Sequence, residues 1–128
     1  MAIVSIGTDL AQIGRLEEAY ERRGQRLLDR LFTQGEQAYC DRRPNTRFTH
    51  YAGRFAVKEA AMKVLGTGWR RGVRWVDLEV TRAPGQAPQL VMHGRSGEIA
   101  KELGIDRVFV TITHDAGLAM AVAVAECD

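Results

Sequence analysis

Between Phe48 and Val64 the apolar residues fall at Phe48, Tyr51, Ala52, Phe55, Ala56, Ala60, Met62 and Val64. Spacings of three and four set most of them on one stripe of a helix, and alanine is frequent among them. Gly66-Thr67-Gly68 stops the run, with Gly66 placed to take the left-handed conformation of a helix cap. A long helix with an apolar stripe has to bury that stripe, so the rest of the chain must supply a surface for it.

Strands are predicted at both ends of the chain, and helices cluster in its first half. Ala2 to Leu10 is rich in β-branched residues and contains Gly7, which predicts a strand ending near Asp9. Leu10, Ile13, Leu16, Ala19 and Tyr20 follow at helical spacing as far as Arg23, and Gly24 ends that helix. Leu27, Leu28, Leu31 and Phe32 predict a short helical turn; Thr33 with Glu36 three residues on is a capping box opening a helix to about Asp41. Pro44-Asn45 breaks the chain before the long helix. Val73 to Thr81 and Pro88 to Met92 are expected to pair as a hairpin across the Pro84-Gly85 turn. Arg95 to Leu103 is a short helix ended by Gly104, and Val108 to Thr113 and Leu118 to Ala125 are strands around an Asp115-Ala116-Gly117 turn. With 128 residues there is room for one core, so the expectation is an α+β fold in a single domain covering 1–128.

Composition narrows the function. The chain is 45% apolar and 27% charged, ordinary values for a globular protein. Its longest mostly apolar stretch, Ala116 to Ala125, is half the ~20 residues of a membrane-spanning helix, and Asp9 with no basic start argues against a signal peptide. Cys40 and Cys127 lie far apart, which predicts free thiols in the reducing cytoplasm. No membrane partner is expected.

Net charge is only +2, but its distribution is uneven. Arg42, Arg43, Arg47, Arg54, Lys58, Lys63, Arg70, Arg71 and Arg74 make nine of the chain's 18 basic residues, and Glu59 is the single acid among them. Such a segment attracts a polyanion. A nucleic-acid module would interleave aromatics with those bases for stacking. Phe48, Tyr51 and Phe55 instead lie on the apolar stripe, so no nucleic acid is expected. Glu59 and Lys63 are four apart and share a helix face, which suits a site holding both a cation and a phosphate. Mg²⁺ takes one or two protein carboxylates and completes its shell with waters and phosphate oxygens; Asp9 is the second candidate. Gly66-Thr67-Gly68 offers backbone N–H groups to a phosphate, and Thr111-Ile112-Thr113-His114 ends a strand with two same-face hydroxyls and an imidazole. Neither a hydrolase triad nor zinc-ligand spacing is present.

Ile6-Gly7-Thr8-Asp9-Leu10, the run from Ala52-Gly53-Arg54-Phe55-Ala56-Val57-Lys58-Glu59 to Lys63, Leu65-Gly66-Thr67-Gly68, and Thr113-His114 together resemble the holo-(acyl-carrier-protein) synthase group of the 4′-phosphopantetheinyl transferases. Order and gaps match along essentially the whole chain. Thr111 stands where that family often has Ser, and its G-x-P turn is one residue longer here, as Gly85-Gln86-Ala87-Pro88. The resemblance implies an antiparallel sheet packed against a long helix. It implies Mg²⁺-dependent transfer of 4′-phosphopantetheine from coenzyme A to a serine of apo acyl carrier protein, for fatty acid biosynthesis, with release of adenosine 3′,5′-bisphosphate. Asp9 and Glu59 would hold the metal, Lys63 would contact the pyrophosphate, and Glu59 or a water at the metal would take the serine proton. Arg54, Gly66, Thr67, Gly68, His114 and, more weakly, Arg47 look like coenzyme A contacts. Larger relatives join two similar halves, so a chain of this length resembles the trimeric subgroup with sites between subunits. The carrier is acidic; Arg15, Arg22 and Arg26 would share a face toward it if the first helix ran past Gly24.

Overall fold

The computed structural model describes residues 1–68 and 70–128. Strand β1 (Ala2–Gln12) leads into helices α1 (Ile13–Arg23), α2 (Gln25–Leu31), α3 (Gln34–Asp41) and the long α4 (Arg47–Leu65). Strands β2 (Leu78–Thr81) and β3 (Gln89–Met92), helix α5 (Gly94–Glu102), and strands β4 (Arg107–Asp115) and β5 (Leu118–Cys127) complete the chain. The five strands form one antiparallel sheet in the order β1-β5-β4-β3-β2.

Period-two side-chain alternation gives the sheet two unlike faces. Ala119, Ala121, Ala123 and Ala125 of β5 are fully buried, and in register beside them stand Gly7, Asp9 and Ala11 of β1 and Val110 and Ile112 of β4. This small-residue face receives α4. Contact is closest at two glycines. A Cβ at Gly7 would lie 2.1 Å from the Ala60 carbonyl oxygen, and one at Gly53 would lie 2.9 Å from Ile112 Cγ2. Only glycine permits such approach, so these positions fix how α4 crosses β1 and β4.

The capping box forms as expected: Thr33 Oγ1 accepts from the Glu36 N–H, and Glu36 Oε1 accepts from the Thr33 N–H. Glu36 also pairs at 2.9 Å with Lys58, both side chains being fully buried. Lys58 Nζ donates further to the Trp75 and Leu78 carbonyls, and Val80 N–H donates to Glu36 Oε2. All three ammonium protons are therefore used, tying α3, α4 and β2 together.

Two boundaries move, and one expected face is lost. Strand β1 continues to Gln12 rather than yielding to helix at Leu10, because Leu10, Ala11 and Gln12 pair with Met120, Ala119 and Leu118. The expected Val73 to Thr81 strand shrinks to Leu78–Thr81, since Trp75–Asp77 forms a helical turn, with Lys58 binding the Trp75 carbonyl inside it and the Leu78 carbonyl just after it. Gly24, at φ 67° and ψ −149°, breaks the α1 helix, so the continuous face expected for Arg15, Arg22 and Arg26 does not exist. Both cysteines are free, as predicted.

Candidate active site

Strand β1 and helix α4 carry the two carboxylates to one place. Asp9 lies two residues beyond Gly7 on the helix-facing side of β1, and Glu59 precedes the Ala60 that Gly7 touches. Both line a cleft of about 800 Å³ together with Phe55, Trp75 and Arg15. Phe55 and Trp75 stack at 5.2 Å and form part of its apolar wall. Lys63, one helical turn beyond Glu59, donates to the Thr8 carbonyl at 2.8 Å and to Asp9 Oδ1 at 3.1 Å.

The electrostatics are those of a site short of positive charge. Burial pushes the Glu59 carboxyl above its usual range, the charge of Asp9 adds to that shift, and Lys63 opposes it. Two hard oxygen donors that repel each other, one partly desolvated, fit a small divalent cation. Among the described residues no cluster of three or more His, Cys, Asp or Glu offers a metal cage. The residues present thus suit Mg²⁺.

The remaining candidates are distributed differently. Gly66 takes φ 71° and ψ 17° as the αL cap, but its N–H and that of Thr67 bond back to Lys63 and Met62 carbonyls. Those two amides are spent on ending α4, which corrects the expectation that they are free for a phosphate. Thr67 Oγ1 donates to the Gly68 carbonyl. Arg47 bonds Asp41 at 2.6 Å and lies over the rings of Tyr20, Phe48 and Tyr51, a packed arrangement that anchors the start of α4. Arg54 and His114 do not line the cleft; their charges act on His50. His114 stands opposite Ala119 on the helix side of β4, whereas Thr111 and Thr113 face away. Arg15 lines the cleft with Arg23 and Arg30, and Arg22 and Arg26 line an adjoining hollow with the same two residues. The sequence reading missed Arg30, whose signal was its i, i+4 spacing from Arg26. Lys58, counted among the nine basic residues of the sequence, is structural.

Known proteins match both the sequence and the fold of this chain. The chain matches the family model described as the 4′-phosphopantetheinyl transferase superfamily over residues 5–123. It belongs to that superfamily. Within it, the similarity is to holo-(acyl-carrier-protein) synthases. The enzyme of that name from Solibacter usitatus is 45% identical over 124 residues, spanning 97% of this chain and 98% of that protein. Among solved structures, the Neisseria meningitidis enzyme superposes with a TM-score of 0.87 at 28% identity, covering 98% of this chain and 99% of the other. The Helicobacter pylori enzyme, solved in complex with coenzyme A, gives 0.82 at 30% identity, covering 94% and 99%.

Proposed function

We propose that this protein is a cytoplasmic, Mg²⁺-dependent enzyme that transfers 4′-phosphopantetheine from coenzyme A to a serine of apo acyl carrier protein, for fatty acid biosynthesis. The observation that carries the reading is that Asp9 and Glu59 line one cleft, with Lys63 bonded to Asp9, in a chain of this family. The serine oxygen attacks the β-phosphorus of coenzyme A, the bond to the bridging oxygen breaks, and adenosine 3′,5′-bisphosphate leaves. Asp9 and Glu59 would hold Mg²⁺, whose chemistry is to neutralise charge on the transferring phosphoryl group. Lys63 donates to the pyrophosphate oxygen on which charge develops. Glu59 is the carboxylate of this chain placed to take the serine proton. Arg54, His114 and Gly68 contact the cofactor, with Gly66 and Thr67 shaping that loop. The arginines around the cleft and the adjoining hollow steer the acidic carrier by complementary charge.

A trimer is part of the same reading. On the sheet face away from α4, Ile6 and Leu10 are each 61% exposed, Phe109 is 56% and Met120 is 37%. Register lines up Ile6, Val124 and Phe109 across three strands and sets Leu10 beside Met120. An apolar surface of that kind is suited to self-association.

The test is to incubate the protein with coenzyme A, Mg²⁺ and a panel of apo carriers from fatty acid, polyketide and peptide synthases, then to weigh the carriers. Addition of one phosphopantetheine to the fatty acid carrier is expected. Unmodified mass for every carrier overturns the proposal.

A further inference from the structure

Helix α5 lines none of the cleft, yet it grips the segment that follows α4 at two points. Asp77 makes the first. Its backbone carbonyl accepts from the His93 N–H at 2.7 Å and from the buried Ser96 hydroxyl at the start of α5, while its carboxylate accepts from the Arg74 N–H and guanidinium. Ile99 and Ala100 bury the inner face of the helix, so its far end is carried on a packed body. Glu102, at that end, makes the second. Its Oε2 lies 3.5 Å from a terminal nitrogen of Arg71 and its Oε1 3.4 Å from one of Arg95. Arg95 also packs beside the loop, where its Cγ would be 3.6 Å from a Cβ on Gly72. Arg71 has φ 63°, a left-handed backbone that a residue with a Cβ disfavours and that tertiary contacts must hold. Among the described residues Glu102 is the one acid paired with Arg71. Upstream, the Gly66 and Thr67 amides are spent on the cap of α4, which leaves the exposed Gly68 as the loop's contact for the cofactor in the coenzyme A reading.

We propose that Glu102 is a positioning residue: through Arg71 it braces the loop after α4 so that Gly68 meets the cofactor. This rests on the coenzyme A reading above. The cap fixes the loop at Gly66 and Asp77 fixes it at Arg74; between those points the strained Arg71 is held by its pair with α5. The sign of the effect separates a brace from bare charge. Glu102 is an anion attached to a loop that meets a polyanion, so through space its removal would tighten cofactor binding. As a brace, its removal frees Arg71 and weakens binding.

Calorimetric titration of the full chain with adenosine 3′,5′-bisphosphate tests the brace without needing transfer. Glu102→Gln is expected to weaken binding roughly two- to fivefold, the range of an exposed ion pair, with the urea midpoint near that of the wild type because the side chain is half exposed. In the Arg71→Met background the same substitution should have no further effect, since the pair is already broken. Amide hydrogen exchange at residues 71–73 of the unliganded protein should be faster in Glu102→Gln. In the transfer assay that variant raises KM for coenzyme A and leaves kcat where it was. Tighter or unchanged bisphosphate binding in Glu102→Gln, or an equal loss in the Arg71→Met background, overturns the brace. A protein that modifies no carrier but shows the Arg71-dependent loss of bisphosphate binding retains the brace and loses the transferase reading.

Discussion

Lys58 and Lys63 sit five residues apart on α4 and have opposite fates. Lys58 is buried with Glu36, so Lys58→Met leaves a carboxylate without its cation inside the core. We expect a loss of about 3–5 kcal/mol in urea denaturation, the usual effect of removing one partner of a buried pair. Lys63 is half exposed and bonds to Asp9 and the Thr8 carbonyl. Lys63→Ala should unfold near the wild-type midpoint while lowering kcat at saturating coenzyme A, as the contact proposed for it with the leaving phosphate requires. Gly7→Ala drives a methyl into the Ala60 carbonyl, and either β1 or α4 must move. That overpacking should cost about 1–3 kcal/mol in the same denaturation experiment and lower transfer as well, since Asp9 shifts with the strand. A Gly7→Ala variant of normal stability would mean that the two backbones do not meet there.

Helices α3 and α5 are tied to the sheet at their starts by one carboxylate. Glu79 of β2 accepts from Thr33, which caps α3, and from His93, which precedes α5. Burial acts upward on its carboxyl, but those hydrogen bonds and the charges of His93 and Lys58 outweigh it and hold the group below the ordinary range. The ionised form is thus favoured by folding. Its stabilisation is complete above the unfolded value of about 4.3 and is lost as pH falls through the folded value. The difference in denaturation midpoint between pH 7 and pH 3.5 should be larger for the wild type than for Glu79→Gln; equal differences would remove this tie from the account. Much of this architecture is legible in the chain itself. The alanine-rich stripe and Gly66 define α4, and the Thr33/Glu36 box defines the start of α3. Less visible is whatever depends on a distant partner. The alternation from Val73 is overridden by Lys58 claiming the Trp75 and Leu78 carbonyls, and Leu10 fits a helix until β5 pairs with it. Asp9 and Glu59 could be chosen as a pair by chemistry and family resemblance, but only the contact of Gly7 with Ala60 puts them in one cleft. Arg71 with Glu102 carries no periodic signal at all.

The whole molecule presents an apolar sheet face that α4 leaves uncovered. If three copies bury it, Ile6→Lys with Phe109→Lys should convert the particle seen by light scattering from a trimer to a monomer, each lysine having to desolvate on assembly. The isolated fold should persist by circular dichroism, since both side chains already meet water in the single chain. A variant that remains trimeric would place the interface elsewhere. Carrier modification should fall with the trimer if sites lie between subunits. The proposed transfer chemistry depends on one ion held between Asp9 and Glu59. Its most direct measure is Mn²⁺ binding followed by electron paramagnetic resonance in the presence of coenzyme A, with Asp9→Asn and Glu59→Gln as isosteric variants. One ion per chain in the wild type, lost in both folded variants, is the predicted result; wild-type occupancy in either variant would contradict it.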